Sequence, residues 1–204
     1  MFENKKTLII DFDILNKSIK TIFGVKEKVA EKKEIWNDNY LDNIIIKISS
    51  SVDLISGIDM IFQDGNKIKK EKIINILDKL KNKYKIILLD TSSECFMDYT
   101  KELIKCSDLS IFLVEANLIE LKKSKKLLEI YTNEWGVKKE KINIIFNKYN
   151  KKSIDNNILN KLFYDFQILG YLKLNENYNY IINNNINYIN KEIKEEYKKI
   201  ANKI

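Results

Sequence analysis

The chain has 204 residues, of which 45% are hydrophobic and 32% charged, a composition that indicates a globular protein with a core and excludes a disordered or fibrous chain. The formal net charge of +7 permits binding to nucleic acid or to an anionic membrane surface without requiring either. Two cysteines and no histidine argue against a zinc site and against histidine-based acid–base chemistry, and they predict a reduced, cytoplasmic protein. No apolar stretch approaches the roughly 20 residues that span a membrane.

In the first half of the chain, the sequence predicts alternating strands and helices. A short apolar run predicts a buried strand over Thr7–Ile10, which ends at Asp11-Phe12-Asp13. The next segment has apolar residues at helical spacing, and Gly24 fits the position just past that helix. The elements that follow the first strand are a helix over Ile14–Phe23, candidate strands over Asn43–Ile48 and Val52–Ser56, and a helix over Ile68–Lys83.

The apolar run Ile86–Leu89 has the composition of a strand that is buried on both faces of a parallel sheet. It ends at Asp90, and Thr91-Ser92-Ser93-Glu94 then fits a capping box that begins a helix over Cys95–Lys105. In open α/β sheets, ligands bind just beyond the carboxyl ends of such strands. Asp90 is therefore the first candidate for a functional residue.

The second half of the chain continues the alternation. It predicts a buried strand at Leu109–Val114 and then a helix at Leu118–Trp135, with Leu118 in its apolar stripe. A strand at Ile142–Phe146 follows, which ends at Asn147-Lys148, and then a helix at Ile154–Phe163 that Ser153 caps. The last elements are a strand at Phe166–Leu172 and a helix at Asn190–Ile204. This order predicts an α/β fold: one domain over residues 1–204, with a doubly wound, mostly parallel sheet and helices on both faces.

Four strand ends carry polar residues in a recognisable order: Asp11-Phe12-Asp13, Asp90-Thr91, Glu115-Ala116-Asn117 and Asn147-Lys148. Their order and spacing resemble the MinD/ParA family of deviant-Walker P-loop ATPases over nearly the whole chain. The resemblance implies that Asp11 and Asp13 are catalytic and face the γ-phosphate. It implies that Asp90 is the Walker B aspartate and holds Mg²⁺ together with Asp11. Asn147, with Lys148 beside it, matches the residue that binds the adenine of ATP.

The chain departs from the family where the phosphates should bind. The family's K-G-G-x-G-K-S/T loop has no counterpart, since none of the five glycines is followed by Lys-Ser or Lys-Thr. The Pro and Gly that the family has after the Walker B aspartate are also missing. The resemblance implies an N-terminally incomplete domain without its first strand, phosphate loop and first helix, and a loop encoded upstream is the open alternative. Because the loop supplies the positive part of the site, we expect little or no ATP hydrolysis by this chain alone.

Each of these signals also has a simpler explanation. Acidic residues are common where a strand leads into a helix, and Asn147-Lys148 fits a plain turn. The lysines of the helix after Leu118 fit a solvated face, although relatives bind DNA non-specifically through such residues.

Three functions stay open at this point: an impaired MinD/ParA-type ATPase that organises a chromosome, plasmid or surface machine, a nucleotide-independent pseudo-ATPase that binds partners, and a basic, non-specific DNA-associated protein. A homodimer and a partner protein are compatible with these functions. The last helix is expected to pack on the domain, so peripheral membrane contact is not expected.

Overall fold

The computed structural model describes residues 5–13, 18–25, 41–56, 70–91, 98–150, 152, 154–175 and 191–204. The chain divides into two compact units, a first unit of Phe2–Leu103 and a second unit that contains Ile104–Ile204. The single domain over residues 1–204 stays a prediction, as does the absence of a first strand. Among the described residues, no helix is long and apolar enough to cross a membrane.

A four-stranded sheet forms the centre of the first unit. Its strands are β1 (Thr7–Asp11), β2 (Ile46–Lys47), β3 (Val52–Ile55) and β4 (Ile86–Asp90), in the spatial order β2-β3-β1-β4. β1 pairs in parallel with both β3 and β4, whereas the short β2 runs antiparallel to β3. The parallel arrangement places the carboxyl ends of β1, β3 and β4 at one edge of the sheet.

The helices of this part of the chain bury apolar residues, except for the first, in which no residue is buried. They are α1 (Ser18–Ile22), α2 (Leu41–Ile44), α3 (Lys70–Lys81) and α4 (Asp98–Cys106). Leu8, Leu54 and Leu80 are fully buried, so strands and α3 share one core. Gly24 follows α1 with a φ of +63°, which confirms the predicted helix end. Residues 14–17 and 92–97, on which the predicted start of the first helix and most of the predicted capping box fall, lie outside the described residues.

The second unit contains a parallel sheet of three strands, ordered β5-β6-β7. The strands are β5 (Ser110–Glu115), β6 (Ile142–Tyr149) and β7 (Gln167–Lys173). The helices are α5 (Leu118–Glu129), which continues as a π-helical turn over Ile130–Glu134, α6 (Asn156–Leu162) and α7 (Lys191–Ala201), and a short 3₁₀ turn spans Lys139–Lys141. With the first unit, this confirms the predicted α/β fold of parallel strands flanked by helices.

The last helix packs as expected. Ile200 of α7 lies in a buried cluster with Ile145 of β6 and with Leu169 and Leu172 of β7. The contact is close at Gly170, where a side-chain β-carbon would lie 2.8 Å from Ile200 Cγ1. Part of the helix's apolar surface is therefore used inside the second unit.

Five details of the sequence prediction are wrong. The candidate strand Asn43–Ile48 begins inside α2, which ends at Ile44, and only Ile46–Lys47 form β2. β4 and β5 are not buried on both faces, since Leu88 is 49% exposed and Leu113 61% exposed. The reason is that each strand has a single neighbour among the described strands and lies at the edge of its sheet. Leu118 is largely exposed, because it occupies the first turn of α5, ahead of the buried stripe. The N-cap of α6 is Asp155, since the helix begins at Asn156; Ser153 itself lies outside the described residues.

Candidate functional site

The carboxyl ends of β1 and β4 bring two of the predicted site residues together. Asp11 and Asp90 are paired positions in the parallel register, so their side chains point to the same face of the sheet. The backbone N–H of Phe12 donates a 2.8 Å hydrogen bond to the carbonyl oxygen of Asp90, which fixes the two strand ends against each other. Asp13 follows at once in the chain. The first unit therefore assembles the three predicted carboxylates at one edge of its sheet.

Asp11 is the most perturbed of these carboxylates. It is only 2% exposed, and its Oδ1 accepts a 3.1 Å hydrogen bond from the backbone N–H of Asp13. Its Oδ2 is buried and accepts no hydrogen bond from any residue that the structure describes. Burial raises the pKa of Asp11 from 3.8 to about 6. The charges of Asp90 and Asp13 add to the rise, and the backbone N–H groups of Asp13 and Ile19 oppose it. The environment thus favours a proton or a cation at this carboxyl.

Asp90 shares this electrostatic environment but is open to solvent. Desolvation of its carboxyl raises its pKa, and the negative charge of Asp13 raises it further. In the described part of the chain, no three acidic, histidine or cysteine side chains converge into an enclosing metal cluster. The donor set instead fits Mg²⁺, which binds through one or two carboxylates and takes its other ligands from water or from bound phosphates. Asp11, with its unused Oδ2, and Asp90 are the residues that could hold it.

The structure adds one residue that the sequence analysis did not select. Ile10 pairs with Ile55 in the register of β1 and β3, so Ser56 comes next in line beside Asp11. Ser56 is 5% exposed, and its hydroxyl has no hydrogen-bond partner among the described residues. Ser56, Asp11 and Asp90 therefore form a row of polar residues at the carboxyl ends of β3, β1 and β4. The only sequence signal for Ser56 is its place at the end of a candidate strand.

The remaining predicted residues, Asn147 and Lys148, lie near the end of β6 in the second unit. Asn147 Oδ1 accepts a 2.9 Å hydrogen bond from the N–H of Lys148, which has a left-handed φ of 49°. Lys148 Nζ lies 3.2 Å from Glu115 Oε2, because Glu115 of β5 pairs with Asn147 in the register. Both residues therefore lie within β6, at the irregularity in its pairing with β7 between Phe146 and Tyr149, and not at the end of the strand. The hydrogen bond of Asn147 uses its acceptor oxygen and not the donor of its amide.

Comparison with known proteins gives a clear structural result. No family model matches the sequence, and no curated protein sequence matches it. Solved structures do match. The plasmid partition protein of Borrelia burgdorferi B31 bound to AMPPNP has a TM-score of 0.79 and 25% sequence identity, over 98% of this chain and 86% of that one.

Two cell-division structures match over the same share of this chain. The MinC:MinD complex of Aquifex aeolicus gives a TM-score of 0.77 at 13% identity and covers 98% of this chain and 83% of that one. The septum site-determining protein MinD of Pyrococcus horikoshii OT3, complexed with Mg-ADP, gives 0.74 at 17% identity with the same coverage. The polar strand ends of this chain thus belong to a MinD/ParA-like fold of the P-loop NTPase type.

Proposed function

We propose that this protein is a MinD/ParA-type positioning protein that serves a chromosome, a plasmid or a surface machine, and that its ATP hydrolysis is impaired. The fold supports the general assignment, because similar structures include a plasmid partition protein and cell-division proteins. The observation that carries the proposal is the pair of carboxylates, Asp11 and Asp90, at the carboxyl ends of β1 and β4. It retains the carboxylate half of a nucleotide site.

In this proposal Asp11 and Asp90 are the residues that would hold Mg²⁺, and the ion would supply positive charge to phosphate oxygens. The backbone N–H of Asp13 holds Asp11 Oδ1, so that Oδ2 is left for the ion. The raised pKa of Asp11 shows that its buried carboxylate lacks balancing positive charge, which a bound cation would supply. Asp13 is the second catalytic carboxylate in this proposal, and Asn147 and Lys148 of the second unit stay predicted adenine-binding residues on the family resemblance alone.

Impaired ATP hydrolysis is expected because the site lacks positive groups for the phosphates. The sequence contains no G-x-x-x-x-G-K-S/T loop, so the backbone N–H groups and the lysine that cradle phosphates in P-loop proteins have no counterpart. Asp11, Asp13 and Asp90 repel a triphosphate when nothing balances them. Phosphoryl transfer depends almost wholly on positioning and on stabilising negative charge, so losing the cradle removes most of the rate.

Two measurements test the two parts of the proposal. Phosphate release from Mg²⁺-ATP by the purified 204-residue chain should not exceed that of the Asp11→Asn variant, and saturable turnover above this control would refute the impairment. A fluorescent fusion should concentrate at discrete places in the cell and lose that pattern in the Asp11→Asn, Asp90→Asn double variant. A uniform distribution of the unmodified protein would contradict a positioning role.

A DNA-associated role is the second candidate, and the surface of α5 favours it. Lys122, Lys123, Lys125 and Lys126 are all exposed, although Lys123 is paired with Glu120. Retention on DNA that falls steeply with salt, and that weakens when Lys122 and Lys126 are replaced by glutamate, would support this role. Retention that is insensitive to these changes would exclude it.

A nucleotide-independent binding module is the third candidate. Leu118 and Ile119 are both strongly exposed in the first turn of α5, as expected for a surface that contacts a partner protein or a second copy. Replacing both residues with serine should abolish such a contact without affecting the melting temperature. A complex or a homodimer that survives this double replacement would place the contact elsewhere.

A further inference from the structure

Two buried side-chain oxygens on neighbouring strands of the first unit have no hydrogen-bond partner among the described residues. They are Oδ2 of Asp11, at the end of β1, and the hydroxyl oxygen of Ser56, just past the end of β3. Asp11 is 2% exposed and Ser56 5% exposed. Because Ile10 pairs with Ile55, the residues that follow lie side by side and point to the same face of the sheet. Buried polar atoms are nearly always paired, so two such oxygens together indicate a ligand between them.

This face of the sheet is covered beside β3 and open beside β4. Leu54 of β3 is fully buried and Leu88 of β4 is 49% exposed, although both pair with the same residue of β1. Two residues further along this face, Ser56 is buried and Asp90 is exposed. Since Asp11 Oδ2 is itself buried, it belongs to the covered part of the face, where the Ser56 hydroxyl is its polar neighbour.

The spacing of the strands suits a small cation between these two oxygens. Neighbouring strands lie about 4.8 Å apart. Mg²⁺ binds oxygen at about 2.1 Å, so two of its ligands are at most about 4.2 Å apart, and side chains on adjacent strands reach this separation by leaning together slightly. Ser56 and Asp90 are two strand spacings apart, roughly 9–10 Å, which is too far for both to bind one ion directly.

The chemistry of the two oxygens also suits this ion. In P-loop proteins the Ser or Thr of the loop gives its hydroxyl to Mg²⁺, and this sequence contains no such loop. We propose that Ser56 supplies that hydroxyl: its oxygen and Asp11 Oδ2 bind the cation directly, and Asp90 holds it through water. The proposal rests on the function proposed above, because it concerns the same ion. Both direct ligands are hard oxygen donors, so the site favours Mg²⁺ over metals that prefer sulfur.

The dependence of the melting temperature on Mg²⁺ concentration tests the proposal without nucleotide. Ser56→Ala removes one ligand and should raise the midpoint Mg²⁺ concentration by about tenfold. In metal-free buffer it should not lower the melting temperature, because the hydroxyl that it removes has no partner among the described residues. The matched control is Ser51→Ala, which alters a serine at the opposite end of β3 and should leave the midpoint unchanged.

Exchanging the ligand atom gives a direct spectroscopic signature. Ser56→Cys replaces the hydroxyl with a softer sulfur ligand, so Mg²⁺ binding should weaken. Cd²⁺ binding should tighten by about tenfold or more relative to Ser51→Cys. The ultraviolet absorption of a cadmium–sulfur bond should exceed that of Ser51→Cys, which has the same native cysteines. Adding Asp11→Asn to Ser56→Cys should weaken Cd²⁺ binding, since the ion lies between the two side chains.

Three results would overturn the proposal. An unchanged Mg²⁺ midpoint in folded Ser56→Ala would remove Ser56 from the site and leave the proposed function standing. A Cd²⁺ signal in Ser56→Cys no larger than that in Ser51→Cys would do the same. No effect of Mg²⁺ on the unmodified protein would overturn both this proposal and the Mg²⁺ site of the proposed function. Urea unfolding checks that each variant is folded, and Ser56→Cys carries the test if Ser56→Ala does not fold.

Discussion

Replacing Asp11 with asparagine should stabilise the protein at neutral pH, although the residue lies in the candidate site. A pKa of about 6 in the folded protein against an ordinary 3.8 corresponds to at most about 3 kcal/mol of destabilisation when the carboxyl ionises. Asparagine keeps the oxygen that accepts from the Asp13 N–H but carries no charge. Its amide NH₂ replaces the buried Oδ2, and leaving that group unpaired costs about 1–3 kcal/mol. The net gain expected at pH 7 is therefore about 0–2 kcal/mol.

The pH dependence of the free energy of unfolding is a sharper test than the net gain in stability at pH 7. Because the pKa of Asp11 is higher in the folded state, its protonated form gives extra stability that is fully present below about pH 4. That stability is lost as the pH rises through about 6. Urea unfolding at a series of pH values between these limits should therefore show stability falling with pH, with a smaller fall in Asp11→Asn.

The matched control is Asp78→Asn, which alters an exposed aspartate of α3 that is paired with Lys81. Its pH profile should follow that of the unmodified protein. The reasoning is refuted if Asp11→Asn keeps the full slope, or if it is less stable than the unmodified protein at pH 7.

Three further variants test a close packing contact, a buried hydrogen bond and a helix cap. Gly170→Ala should lower the free energy of unfolding by about 1–3 kcal/mol, because its β-carbon would lie 2.8 Å from Ile200 Cγ1. Tyr84→Phe should cost about 1–3 kcal/mol, since it removes a 2.7 Å hydrogen bond to the buried Asp53. Asn117→Ala should cost about 1 kcal/mol, because the Asn117 side chain caps α5. Urea unfolding measures all three.

Each of these variants has a matched control. Ile200→Ala should remove part of the cost of Gly170→Ala when the two are combined, and additive costs would contradict the proposed clash. Tyr164→Phe alters an exposed tyrosine and should leave stability unchanged; a loss equal to that of Tyr84→Phe would show that the Asp53 hydrogen bond is not the cause. Asn117→Ser retains a capping oxygen and should keep most of the stability that Asn117→Ala loses.

The sequence predicts the strand ends at Asp11 and Asp90 well, because a short apolar run followed by a carboxylate is a local signal. The same local reasoning predicts the end of α1 at Gly24, where only backbone conformation matters. Helical spacing also predicts one apolar side of the last helix, with Ile193, Tyr197, Ile200 and Ile204; Ile193 and Ile200 are buried, whereas Tyr197 and Ile204 are exposed. Features that depend on neighbouring residues in the chain are thus the ones that can be read without a structure.

Features that depend on distant pairing could not be predicted. Ser56 enters the polar row only through the register of β1 with β3. The exposure of Leu88 follows from the number of strands beside β4, which no local pattern reveals. The perturbation of Asp11 likewise requires both its burial and the positions of Asp13 and Asp90. Register, edge position and electrostatic coupling are properties of the assembled sheet.

The melting temperature of the chain in Mg²⁺ and in Mg²⁺-ATP tests the central claim most directly, namely that the site keeps its carboxylates without a phosphate cradle. Mg²⁺ at pH 7 should raise the melting temperature of the unmodified protein and leave that of Asp11→Asn unchanged, and millimolar ATP should add nothing to the effect of Mg²⁺. A functional nucleotide site would instead add about 2.7 kcal/mol of stability at a hundred times its Kd. A rise of that size with ATP would contradict the account.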